Sequence, residues 1–146
     1  MLSANGLGFI QKWEKCRLAA FKPTPQDVWT IGWGHTEGVQ MGDTCTQEQA
    51  DAWFAEDTSW VNEALNAGIT ILVNQNEFDA CGSLCYDIGS TEFEESTLLR
   101  LLNAGQFNLA SQQFARWNKQ KGKVLDGLTN RREQEAALFN MEVANG

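Results

Sequence analysis

Apolar side chains recur at two different spacings along this chain, and the change of spacing marks where helix gives way to strand. Leu7, Phe9, Ile10 and Trp13 fall at helical intervals behind a polar Asn5, which predicts a short helix capped at Asn5 and ending near Glu14 to Cys16. From Phe21 to Gly42 the period drops to two. The run Val28-Trp29-Thr30-Ile31-Gly32-Trp33 alternates, with Pro23 and Pro25 before it and glycines at 32, 34, 38 and 42 within and behind it. That pattern predicts a small, strongly bent β-hairpin or three-stranded sheet. Thr46 and Gln49 then stand at the spacing of a capping box, and Ala50, Trp53, Phe54, Trp60, Val61, Ala64 and Leu65 follow as one long apolar stripe. Beyond Gly68 every segment reads as helix: 75–88 stopped by Gly89, 96–104 stopped by Gly105, 109–117, and 131–143. The expected fold is α+β, mostly α, in one two-lobed domain over residues 1–146. Its β lobe covers roughly 17–45, a long connecting helix roughly 46–66, and a helical lobe roughly 67–146 with the N-terminal helix. Clefts open where such lobes meet.

Composition narrows the function classes. With 42% hydrophobic and 21% charged residues among 146, the chain can bury a core and is not of disordered type. Its net charge of −8 offers no broad cationic field, which argues against nucleic acid or an anionic membrane surface as partner. Residues 1–8 carry no basic stretch and no apolar run, and no later segment reads as a membrane span, so synthesis in the cytoplasm without a signal peptide is expected. Four cysteines permit three pairings, yet a chain of this kind keeps them reduced. Cys81 and Cys85 share a helical face, and with His35 they fall short of a metal-ligand set, so buried thiols and no metal are expected. The glycines at 32, 34 and 38 lie among strand residues at the wrong spacing for a phosphate loop.

The run Glu14-Lys15-Cys16-Arg17-Leu18-Ala19-Ala20-Phe21, followed by Val28-Trp29-Thr30-Ile31-Gly32-Trp33-Gly34-His35-Thr36, closely resembles the phage lysozyme (endolysin) family of glycoside hydrolases. Asn74-Gln75-Asn76-Glu77-Phe78-Asp79-Ala80, Asp87-Ile88-Gly89, Ser96-Thr97-Leu98-Leu99-Arg100, Arg116-Trp117 and Gly127-Leu128-Thr129-Asn130-Arg131-Arg132 look like the family's later landmarks, in order. The resemblance implies a lysozyme-like fold and a muramidase. Such an enzyme hydrolyses the β-1,4 linkages between N-acetylmuramic acid and N-acetylglucosamine in peptidoglycan, without cofactor, as a monomer acting on the wall after release. It also implies that Glu14 is the general acid and that Thr30 is a water-positioning residue. The family's middle member, an Asp or Cys, has no direct counterpart. Counting back from Val28-Trp29-Thr30 places Thr24 there and Asp27 at a usual glycine. The same resemblance puts Tyr86, Asp87, Trp117, Asn130 and Arg131 on the far wall of the cleft, matches Arg131 to an arginine that contacts the acid, and pairs His35 with Asp57.

The chemistry fits residue by residue. Cleavage needs a proton for the leaving oxygen, and inversion needs a positioned water on the opposite face. Trp13 and Phe21 near Glu14 could desolvate it and keep it protonated; the plainer reading is a solvated charge at a helix end. Thr30 would project on the face of Val28 and Gly32, where glycines 32 and 34 leave room for a sugar; otherwise it is an ordinary strand threonine. Thr24 between its prolines is stiffened and can orient water but cannot act as a base. Asp27 could be that base, although its odd separation from Thr30 favours opposite faces. His35 alternates away from Thr30, which favours a structural role. Trp117 is either cleft wall or core, and Arg131 either cleft wall or solvated helix start. An arginine near Glu14 would hold it ionised, against desolvation. Two other functions share the fold reading: a wall-binding module without hydrolysis, and a lytic transglycosylase, which needs an acid and no water.

Overall fold

The structure, a computed structural model, describes residues 1–143. They fall into two compact units, Gly8–Ser59 and a second comprising Met1–Leu7 with the described residues from Trp60 onward.

Helix α1 (Ala4–Gln11) begins two residues earlier than its sequence suggested. Ser3, not Asn5, is the cap: its Oγ accepts from Gly6 N at 2.9 Å and its carbonyl from Leu7 N at 2.9 Å. Past Gln11 the backbone tightens, with Trp13 N bonded to Ile10 O (3.1 Å) and Glu14 N to Gln11 O (3.0 Å), so Glu14 sits on the turn that ends the helix. Strands β1 (Arg17–Phe21) and β2 (Thr30–Gly32) pair antiparallel, Arg17 opposite Gly32 and Phe21 opposite Thr30, with a register shift between. A third segment joins through the Ala19–Thr44 bridge. The alternating run yields only three strand residues because Gly32 turns at φ +65° and His35 bonds back to Ile31 in both directions at 2.9 Å. The strand argument for His35 therefore lapses, since a turn separates it from Thr30.

Helix α2 (Gln47–Asp57) starts with the Thr46/Gln49 capping box read from the sequence. The single long helix expected over 46–66 is instead two helices, α2 and α3 (Ser59–Gly68). Thr58 ends the first: its hydroxyl donates to Phe54 O (2.8 Å) and Ala55 O (3.2 Å), crowding the carbonyls that the next turn would use.

In the second unit, α4 (Gln75–Ile88) runs as predicted to Gly89, which stands at φ +94°. A short α5 (Ser90–Glu94) leads to α6 (Thr97–Asn103), capped by Ser96, and α7 (Phe107–Gln112) passes into a 3-10 turn at Phe114–Arg116. The all-helix expectation fails at β3 (Lys119–Gln120) and β4 (Lys123–Val124), a hairpin turned through Lys121 (φ 52°) and Gly122 (φ 77°). Helix α8 (Asp126–Asn140) opens five residues before the predicted Arg131, behind Leu125, which provides no side-chain cap to read. It packs chiefly on α4, and Cys81, Leu84, Phe93, Leu98, Leu102, Phe114, Leu138 and Phe139 fill the core of this unit. Among the described residues no helix is long and apolar enough to cross a membrane.

Candidate active site

In the unit Gly8–Ser59 the sheet and its flanking turns carry Glu14, Thr24, Asp27 and Thr30. Glu14 is half-buried. The preceding residues form an aromatic and cationic ledge, with Phe9 and Trp13 edge to face at 6.3 Å and Lys12 Nζ over both rings. Thr30 is buried at the start of β2, and its Oγ1 donates to Val28 O at 3.1 Å. With its proton committed, the hydroxyl can offer only lone pairs to a water. Gly32 does not leave room for a sugar as expected. A Cβ there would lie 3.1 Å from Ala50 Cβ, so the glycine lets β2 approach α2.

Thr24 and Asp27 were set against each other on the sequence, but the turn joins them. Thr24 Oγ1 donates to Asp27 Oδ2 at 2.9 Å, and Asp27 N donates to Thr24 O at 3.0 Å. Both side chains are exposed. A hydroxyl spaced three residues before a carboxylate is the signal that the sequence offered for this pairing.

His35 is buried and meets Asp57 as expected, Nδ1 to Oδ2 at 2.8 Å, while its ring stacks on Trp53 at 4.4 Å. The pair and the stack together hold the buried imidazole in place. Trp33 Nε1 (2.7 Å) and Gln47 Nε2 (3.0 Å) both donate to Asp51 Oδ1, and these bonds hold the Asp51 carboxyl below its ordinary value.

In the second unit the predicted wall residues separate into two kinds. Asp87 and Trp117 line a cavity of 330 Å³ with Lys119, Gln120 and Arg132, and a second cavity of 310 Å³ adjoins at Trp117 and Glu92. Tyr86 stacks on Trp60 at 6.3 Å, and Asn130 Oδ1 accepts from Gln134 Nε2 at 3.3 Å; neither lines those two cavities. Arg131 is not a solvated helix start. It is 5% exposed, and Arg132 beside it 1%. Arg131 Nη2 donates to Ser83 O at 3.2 Å, and its Nη1 lies 3.8 Å from Asp87 Oδ1. Arg132 Nη1 donates to Asp87 Oδ2 (2.9 Å) and Trp117 O (3.4 Å). Behind both lies Glu135, fully buried, which sequence reasoning missed although Arg131 and Arg132 stand four and three residues before it on one helix. Burial pushes the Glu135 carboxyl up, against the downward pull of Arg132, Ser83 and Arg131.

All four cysteines are free thiols, with Cys81 and Cys85 buried in α4. Burial pushes the Cys81 thiol up, and takes that of Cys85 up to about 12. Among the described residues no cluster of three metal-ligating side chains occurs.

Comparison with known proteins adds an independent line. The family profile described as phage lysozyme matches residues 11–135. An endolysin of Acyrthosiphon pisum secondary endosymbiont phage 1 is 44% identical over 142 residues, covering 94% of this chain and 97% of that protein. The muramidase domain of SpmX from Asticaccaulis excentricus is 34% identical at a TM-score of 0.88, covering 97% of this chain and 99% of that one. A mutant P22 lysozyme is 37% identical at a TM-score of 0.86, with 95% and 97% covered.

Proposed function

Since the chain belongs to the phage lysozyme family, we propose that it is a lysozyme in which Glu14 protonates the leaving oxygen and Thr30 and Thr24 hold the attacking water. The substrate is peptidoglycan and the activity is that of a glycoside hydrolase, as in the endolysins and muramidases it matches. The bond cut is the β-1,4 linkage from N-acetylmuramic acid to N-acetylglucosamine, and the whole chain acts as one lysozyme-like domain, as a monomer.

The observation that carries this reading is the state of the two hydroxyls. Each has given its proton to a fixed oxygen, Thr30 to the Val28 carbonyl and Thr24 to the Asp27 carboxylate. Two such acceptors bind a water through its hydrogens and leave an oxygen lone pair free to attack. Asp27 thus orients Thr24 and takes the proton that water loses by relay: the Thr24 hydroxyl accepts the water's proton as its own passes to Asp27 Oδ2. Water attack opposite the departing group inverts the anomeric carbon, so an inverting mechanism follows. Asp87 and Trp117 supply the glycan-binding surface, with Tyr86, Asn130 and Arg131 completing it.

Mass spectrometry of digested sacculi tests the reading. Reducing ends support it. Anhydro ends would indicate transglycosylation, and an absence of fragments a wall-binding role. Proton NMR of fresh digests of soluble glycan fragments checks stereochemistry, with the α-anomer expected first.

A further inference from the structure

The buried arginines raise a question that substrate binding alone does not answer. Two guanidiniums are held side by side on one turn of α8, at 5% and 1% exposure, where mutual repulsion and lost hydration both work against them. Glu135, fully buried one turn on, is what opposes that repulsion. Its Oε2 accepts from Arg131 Nε at 3.3 Å and Arg132 Nη2 at 2.9 Å, its Oε1 lies 2.6 Å from Arg132 Nε, and Ser83 Oγ donates to it as well. The same Arg132 guanidinium reaches forward to Asp87 and to the Trp117 carbonyl. Arg132 therefore bridges a buried anion and two of the residues that line the 330 Å³ cavity, Asp87 and Trp117.

We propose that Glu135 is a positioning residue for glycan binding: it fixes Arg132 from behind, and through it the placement of Asp87 and Trp117. The inference rests on the reading of Asp87 and Trp117 as glycan-binding residues. A rigid fork anchored at one end by a carboxylate transmits that placement, because guanidinium planarity couples its bonds on both sides. Losing the anchor lets Arg132 swing toward Asp87, and the cavity wall loses its set position.

The test is steady-state cleavage of soluble peptidoglycan fragments by the full chain, with folding followed by circular dichroism. Glu135→Gln keeps size and removes the charge. The expected result is a KM raised about tenfold, within the roughly hundredfold that a 1 Å misplacement can cost, with kcat changed by less than about threefold. Leu102→Ala, which loosens the core of the same unit, lowers stability and leaves KM unchanged. Should Glu135→Gln fail to fold, the double variant Glu135→Leu with Arg132→Met removes the Glu135–Arg132 pair together, leaves Arg131 its Asp87 and Ser83 partners, and is expected to restore folding. Its KM is expected to stay high, because Asp87 and Trp117 have lost their anchor. A normal KM in either Glu135 variant, folded, overturns the inference. Asp87→Ala and Trp117→Ala separate the two layers of argument: if neither raises KM, the reading of the binding surface fails first. If they do and the Glu135 variants do not, only the positioning role is lost.

Discussion

Thr24 and Asp27 show how one hydrogen bond changes an assignment. Treated as rivals for a single place, they would give opposite results on deletion; joined as donor and acceptor, they act as one unit. The expected outcome is a double-mutant cycle that does not add up. Thr24→Ala and Asp27→Ala each slow turnover on soluble fragments, and the double variant is no slower than the worse single one. Additive losses would mean that the two act separately. The three-residue spacing of Thr24 and Asp27 permits this bond without specifying it, since an exposed Thr and Asp in a turn also make other local contacts. The residues around Glu14 and Thr30 single these two out as candidates, and the His35–Asp57 pair, read by resemblance, is present in the structure. Gly32 was misread for a definite reason. Its missing side chain was assigned to substrate, whereas the space is taken by Ala50 across the packing of β2 on α2.

That same glycine carries the prediction at the level of elements. At φ +65° and 3.1 Å from Ala50 Cβ, an alanine would be strained in backbone and crowded in side chain. Gly32→Ala is expected to lower unfolding free energy by about 1–3 kcal/mol in urea melts, and an unchanged midpoint would contradict the packing described. Elements bounded by a capping box or a closing glycine were legible, whereas at α1 two polar residues competed and Ser3 rather than Asn5 is the cap. Thr46 and Gln49 open α2, and Gly89 closes α4, as their spacing required. Elements closed by other means were not. Thr58 breaks the apolar stripe by bonding backward to Phe54 and Ala55, which no periodicity records. The hairpin β3–β4 is two residues per strand, too short for an alternating pattern, and α8 begins behind an uncapped Leu125.

For the whole molecule, charge and burial set the conditions under which it works. A net charge of −8 gives weak long-range attraction to an anionic wall, so lytic rate should hold or rise as salt goes from low to moderate. A steep fall over that range would contradict it. Stability should decline in alkali. Unfolded thiols ionise near 9.0, while folded Cys81 resists and Cys85 holds its proton to about 12. Above the unfolded value the unfolded chain therefore releases protons that the folded chain keeps, and stability falls by up to about 1.4 kcal/mol per pH unit for each thiol. Urea midpoints of the parent and of the Cys81→Ala, Cys85→Ala double variant should diverge between about pH 9 and about pH 11, the parent falling more steeply. Equal slopes would mean that these thiols ionise alike in both states. The most direct measurement remains clearance of chloroform-treated Gram-negative cells by a folded Glu14→Gln variant. Loss of clearance with the fold intact is the result expected of a residue that delivers the proton. Clearance at the parent's rate would contradict the account at its centre.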